Sequence, residues 1–195
     1  PEPVPFDHPL WVLFSSGTTG RPKGIVHGHG GVLLEHLKSA ALQSDMTEDD
    51  VFLWYTSPSW MMWNYLLAGL LVGSTVVCYD GSPGHPDVGA LWELAARHRV
   101  TVLGTSPGYL LHCESVGVEP ARAHDLSALR ILGVTGSVLP AAAHGWVAEH
   151  VGHSVHLAPV SGGTDVVSGF VGAPTGVPVV PGEIPAVNLG VALEA

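Results

Sequence analysis

A chain of 195 residues is long enough to bury a substantial core, as one large domain or two small ones. Its 17 acidic residues against 7 basic give a net charge of −10, which excludes the basic stripe that a nucleic-acid surface needs. Only 12% of residues are charged, against about 25% in a typical soluble domain. Mean hydropathy is +0.33, so part of the surface is expected to meet membrane or other protein.

Two cysteines, Cys78 and Cys113, sit in apolar contexts without a C-x-x-C pair. That spacing argues against a disulfide framework or a zinc ribbon and fits a reducing cytoplasm. No charged, apolar, small-residue leader opens the sequence. Residue 1 is Pro, the first methionine is Met46, and the last residues form an apolar run. The expectation is an internal piece of a longer protein.

The predicted elements begin with a strand at Leu10–Phe14. A loop of Ser, Thr and Gly follows at Ser15–Gly20, then Arg21-Pro22-Lys23-Gly24, then the short apolar pair Ile25-Val26. A helix is predicted over Gly31–Gln43, with Leu33, Leu34 and Leu37 on one side. Residues Val51 to Tyr79 carry no charge and are long enough to span a bilayer. Ser57-Pro58-Ser59 and Gly73-Ser74-Thr75 divide them, however. They read as strand (Val51–Tyr55), helix (about Ser59–Val72) and strand (Thr75–Cys78).

Further along come a helix at Asp87–His98 capped by Asp87, a strand at Val100–Leu103, and a helix at Pro107–Val116. A strand at Leu129–Leu132, a helix at Pro140–Val151 and a strand at Ser154–Leu157 complete the series. Strands alternating with helices predict an α/β fold, a layered sheet of parallel βαβ units over residues 1–165. From Val166, Pro and Gly become frequent and a smaller β-rich region is predicted over 166–195.

Several stretches carry candidate chemistry. In Ser15–Gly24, glycines let successive N–H groups point into one concavity, and hydroxyls and a lysine add donors, which suits polyphosphate; the plain alternative is a turn. Lys23 is one of only two lysines. A Walker A loop is excluded, because Pro22 and Gly24 stand where it needs Gly and Ser or Thr. Gly133-Val134-Thr135-Gly136-Ser137-Val138 places Gly-x-x-Gly between a strand and a helix, where exposed backbone suits a flat ring or an anion. Ser161-Gly162-Gly163-Thr164-Asp165 follows a strand: glycines permit close approach, a hydroxyl can bond phosphate, and a carboxylate can hold Mg²⁺. Trp54 to Asn64 is rich in aromatics and reads equally as core.

Gly104-Thr105-Ser106-Pro107-Gly108 fits the G-x-S-x-G elbow, and His27-Gly28-His29-Gly30-Gly31 resembles the oxyanion segment of α/β-hydrolases. Pro107 lacks the N–H that an oxyanion hole takes from the residue after the nucleophile, so Ser106 is expected to cap a helix instead. His150, His153 and His156 recur every third residue across a helix-to-strand passage, a spacing poorly suited to zinc.

Phe14-Ser15-Ser16-Gly17-Thr18-Thr19-Gly20-Arg21-Pro22-Lys23-Gly24 fits [FY]-[ST]-S-G-[ST]-T-G-x-P-K-G without a gap. The chain thereby resembles the acyl-adenylate-forming enzymes, the superfamily of acyl-CoA synthetases, peptide-synthetase adenylation domains and luciferases. The resemblance implies an internal part of the large N-terminal domain of an ATP-dependent acid–CoA ligase. ATP, Mg²⁺ and CoA would be its cofactor and co-substrates, and a small carboxylic acid its substrate.

It also implies roles for particular residues. Ser15, Ser16, Gly17, Thr18, Thr19, Gly20 and Lys23 would hold the β- and γ-phosphates. Gly136, Ser137 and Val138 would line the adenine, and Thr164 would meet the α-phosphate. Asp165, in place of a commoner Glu, would carry Mg²⁺. Ser161, Gly162 and Gly163 would flank nucleotide and acid, and Trp60, Asn64 and Gly162 would bound the acid. Lys23, Thr164 and Asp165 would form the catalytic set.

The segments WMMWN, SGGTD, GTSPGYL, LRILGVTGSVL, SGFVG and PGEI point, within that superfamily, to ligases of a short keto acid, acetoacetate first. Gly162-Gly163 are expected to leave room where acetate-activating members carry bulky aromatics. Ala173-Pro174-Thr175 and Val179-Val180-Pro181 depart from the pattern before Gly182-Glu183-Ile184. The superfamily's ribose-binding Asp, hinge and lysine-bearing C-terminal domain are not among these residues, so little turnover is expected of this segment by itself. A nucleotide-binding remnant is the alternative.

Overall fold

The computed structural model describes residues 2–15 and 20–194. Its centre is a five-stranded, all-parallel sheet in the order β4-β3-β5-β6-β7. The strands are β3 (Val51–Trp54), β4 (Thr75–Val77), β5 (Val102–Thr105), β6 (Ile131–Val134) and β7 (His156–Pro159).

Side chains alternate across a strand, so each register row belongs to one face. Leu53, Leu103, Leu132 and Leu157 pair in one row, all buried. They pack against helices α3 (Ala90–Arg97), α4 (Pro107–Val116) and α6 (Ala141–His150) through Trp92, Leu110, Cys113 and Val147. The next row, on the opposite face, is Trp54, Gly104, Gly133 and Ala158. Here the large indole of Trp54 lies over two glycines of neighbouring strands. A β-carbon at Gly104 would stand 1.9 Å from its ring and one at Gly133 2.9 Å. This face packs on helix α2 (Met61–Ala68), through Leu66, and on the segment after helix α1 (His29–Leu37), through Ala40 and Met46. A one-turn helix α5 (Pro120–Ala123), not anticipated from the sequence, precedes β6.

Two smaller sheets flank the main one. β1 (Pro9–Ser15) and β2 (Lys23–Gly28) form an antiparallel pair, joining Ser15 to Lys23 in register. β8 (Ser161–Gly163), β9 (Ser168–Gly172) and β10 (Ala186–Val187) form an antiparallel sheet in the order β10-β9-β8. The β-rich region thus opens at Ser161, within the SGGTD stretch, rather than past Val166.

Three strands begin about two residues later than their apolar runs suggested. Val100 and Leu129 are buried yet precede their ladders, because the chain packs on the core before it pairs. Helix α3 starts at Ala90 rather than Asp87, whose Oδ1 instead accepts from the Gly89 amide at 2.7 Å in the preceding turn. Ser106 caps α4 as expected, its Oγ accepting from the Tyr109 amide at 3.3 Å with Pro107 in the first turn.

The uncharged stretch Val51–Tyr79 resolves into β3, α2, a 3₁₀ turn (Gly69–Val72) and β4. Among the described residues no helix is long and apolar enough to cross a membrane. The leucine side of α1 faces outward. Leu33, Leu34 and Leu37 are exposed, as are Leu42 and Leu70, while Val32, His36 and Ala40 make the inward face. Inward packing follows β1 and the turn before β9: Val32 meets Leu13 and Val167.

At the base of the sheet, Asp50 and Arg130 form a two-pronged ion pair, Nε to Oδ1 at 2.9 Å and Nη2 to Oδ2 at 2.8 Å. Arg130 also donates to the carbonyls of Ser44 and Asp45. Burial alone would raise the Asp50 carboxyl. The bonds from Arg130, Thr101 and the Thr47 amide outweigh it and hold the group below its ordinary value. The link fixes the end of the α1 segment to the starts of β3 and β6.

Candidate active site

The carboxyl ends of parallel strands leave a crevice, since the chain turns away there into helices on either face. In this molecule a cavity of about 500 Å³ opens there. Trp54, Gly133 and Ala158 line it from the central sheet. Thr56 and Thr105 line it from the strand ends, and Met61, Met62 and Tyr65 from α2. Phe14 of β1 and Val167 close other sides.

Of the residues singled out from the sequence, Gly136, Gly162, Gly163, Thr164 and Trp60 line this cavity. Gly136 turns at φ +102°, a conformation that favours glycine, and begins an exposed loop in which Val138 is 84% exposed. Ser137, Val138, Ser161, Asp165, Ser15, Gly20 and Lys23 stand outside the lining; Asp165 and Lys23 are exposed. Ser16, Gly17, Thr18 and Thr19 lie outside the described residues.

Asn64 does not line the cavity. The lining face of α2 runs through Met61, Met62 and Tyr65, and the 100° helical step carries Asn64 off its flank, where Nδ2 is buried without a partner. Nor is room made in the side-chain direction of Gly162. A β-carbon there would stand 2.2 Å from the Ser168 carbonyl oxygen, so this glycine answers to the close approach of β9. At Gly163 a β-carbon would meet the Phe170 ring at 3.4 Å.

The turn carrying Thr164 and Asp165 is held by two histidines to which sequence reading gave no such role. His27, on β2, donates from Nε2 to the Asp165 carbonyl at 3.0 Å, and His36, on α1, donates from Nε2 to the Val167 carbonyl at 3.1 Å. Val167 holds φ +50°, an unfavourable value for a β-branched residue, so the contacts around it offset local strain. Burial lowers the His36 imidazole to about 4, against the Val167 carbonyl and Glu35, which raise it. Its ordinary value is 6.5. The unfolded chain therefore takes up a proton that the folded one refuses. The stabilisation is complete above about pH 6.5 and is lost as pH falls towards 4. About 3 kcal/mol is at stake, since His36 is only 1% exposed. Urea unfolding of the protein at pH 7 and pH 5 is expected to show about 2 kcal/mol of this loss, and His36→Gln to remove most of it.

Asp165 offers one exposed carboxylate, and the described residues contain no group of three or more His, Cys, Asp or Glu that could cage a metal. A single hard carboxylate would suit Mg²⁺ if the ion also kept water and the oxygens of a bound phosphate, since Mg²⁺ does without a full protein shell. His150 ends α6, His153 lies in the following turn, and His156 on β7 bonds the Ala173 carbonyl at 2.9 Å. Ser106 is committed to its cap, which leaves the G-x-S-x-G match structural.

Polar atoms buried without a partner mark where a ligand would complete the site. Three lie on residues of the cavity wall: Gln43 Nε2, Thr56 Oγ1 and Thr105 Oγ1. None was assigned a ligand-binding role of its own from the sequence. For the glycine row a signal existed, in the repeated Leu-Gly of Val102–Thr105 and Ile131–Val134.

The family described as AMP-binding enzyme matches residues 1–184, and the chain belongs to it. Curated relatives named acetoacetyl-CoA synthetase are 44% identical over the whole chain in Gallus gallus and 45% in Mus musculus. A protein of Rhizobium meliloti (strain 1021), named acetoacetyl-coenzyme A synthetase, is 47% identical over 99% of the chain. The chain spans 29% of the length of the first two and 30% of the third. The solved acetoacetyl-CoA synthetase from Streptomyces lividans superposes with a TM-score of 0.93 at 52% identity, over 97% of this chain and 30% of its own. An anthranilate CoA ligase, AuaEII, solved with anthranoyl-AMP, shares the fold at 22% identity and a TM-score of 0.82, over 95% of this chain and 35% of its own.

Proposed function

We propose that the full-length protein is an AMP-forming acid–CoA ligase whose acid is acetoacetate or a close short keto acid. The observation that carries this is the cavity at the strand ends. Thr164 and Gly136 stand on its wall beside an apolar recess floored by Trp54, Gly133 and Ala158. The ungapped Phe14–Gly24 signature on the adjoining hairpin and the names of the relatives support it.

In this reading, a carboxylate oxygen of the acid attacks the α-phosphorus of ATP. The bond to pyrophosphate breaks and an acyl-adenylate forms. The CoA sulfur then attacks the acyl carbon, AMP leaves with the bonding electrons, and the thiol proton passes to solvent. Little covalent work falls to the protein, which positions the partners and stabilises phosphoryl charge. Ser15, Ser16, Gly17, Thr18, Thr19, Gly20 and Lys23 would bind the β- and γ-phosphates, and Thr164 the α-phosphate. Gly136, Ser137 and Val138 would flank the base, with Ser161, Gly162 and Gly163 between base and acid. Trp60 would bound the acid at the mouth. Asp165 would hold Mg²⁺, whose chemistry is to neutralise charge on the departing pyrophosphate. His27 and His36 keep that turn in place by holding its carbonyls.

The test is exchange of labelled pyrophosphate into ATP by the full-length protein, with acetoacetate, acetate and butyrate compared. Exchange that depends on acetoacetate is expected. ATP binding without exchange on any short acid overturns the reading and favours a binding-only remnant.

A further inference from the structure

We infer that Gln43 recognises the ketone of the acid, its Nε2–H donating to the C3 oxygen, and so separates a 3-keto acid from a saturated acid of the same length. This inference rests on the ligase reading above. Gln43 is 9% exposed, lines the cavity, and has an Nε2 that is buried without an acceptor. Its backbone is held from behind, the carbonyl accepting from the Thr175 amide at 3.0 Å.

The residue ends a six-residue π-helical stretch, Lys38–Gln43, that continues α1. Such stretches are rare and are frequently found at functional sites. Residues four and five apart share a face of this wider turn, which sets Ser39 and Gln43 together. Ser39 Oγ lies 3.3 Å from Ser168 Oγ, and the Ser168 carbonyl abuts Gly162, beside Thr164. Gln43 thus lines the same cavity as Ser39, Ser168, Gly162 and Thr164, where the acid is proposed to react.

A ketone oxygen only accepts, so it needs a donor, and an amide N–H only donates. The other two unpartnered atoms, the hydroxyls of Thr56 and Thr105, rotate to give or accept a proton and do not distinguish a ketone from other oxygens. A saturated chain leaves the Gln43 donor buried and unpaired, which penalises the wrong acid as well as favouring the right one.

The experiment compares acetoacetate with butyrate, which lacks only the ketone. Both are assayed by pyrophosphate exchange with the full-length protein and its Gln43→Met and Gln43→Leu variants. Wild type is expected to prefer acetoacetate. In both variants the ratio of the two kcat/KM values is expected to fall by about 10- to 100-fold, chiefly through KM for acetoacetate. A ratio within about twofold of wild type overturns the inference, including the case where both acids lose activity alike in both variants. Wild type that uses neither acid overturns the ligase reading itself, and that result is read before any variant is made.

Discussion

On the proposed ligase reading, Gly162→Ala in the full-length protein is expected to lower acid-dependent pyrophosphate exchange by about 100- to 1,000-fold with every acid tested, short or long. The reason lies in backbone. A β-carbon at Gly162 would stand 2.2 Å from the Ser168 oxygen and 2.8 Å from Gly169 Cα, neither of which can rotate away. β8 must then withdraw from β9 at the irregular step between Ser161 and Gly162, and Thr164 moves with it. A misplacement of about 1 Å costs such factors when catalysis is mostly positioning. Gly163→Ala meets only the edge of the Phe170 ring at 3.4 Å and is expected to cost far less. Kinetics on a series of acids make the check. If Gly162→Ala spares acetate while excluding larger acids, the residue acts by occupying the pocket, and the backbone explanation fails.

Gly104→Val destabilises the protein by about 3 kcal/mol or more, seen as a lowered urea midpoint. Its β-carbon would lie 1.9 Å from the Trp54 ring, which Phe52 and Tyr65 contact edge-on and which has nowhere to retreat but the cavity. Trp54→Leu in the same chain is expected to recover part of the loss, because the smaller side chain vacates the space over Gly104. A double-mutant cycle measures that recovery directly. Additive losses would place the strain elsewhere.

Much of the architecture was legible because it rests on local patterns. Apolar runs broken by Gly, Pro and Ser gave the alternation of strand and helix, and Ser106-Pro107 gave its cap. The strand starts were displaced because Val100 and Leu129 are apolar for packing reasons before pairing begins. Which side of α1 is buried was not legible from its leucines, since burial follows what Val32, His36 and Ala40 meet on β1, at Val167 and on the sheet. Gly136 and Thr164, singled out by residue type and order, do line the cavity. The roles of Gln43, His27 and His36 were not legible, because each residue acts on a segment more than 100 residues away, or through a π-helical turn that no residue preference announces.

The row Trp54, Gly104, Gly133 and Ala158 carries a consequence for how such proteins diversify. On the proposed assignment, the nucleotide is handled by loops, whereas this row floors the recess for the acid from within the strands. A duplicated gene can then change its preferred acid through the codon for Ala158 while Gly104 and Gly133 stay fixed under Trp54 and the loops that handle ATP stay under their own selection. Descendants would share one activation chemistry and differ in diet, with their divergence written in the middle of the sheet rather than at its rim.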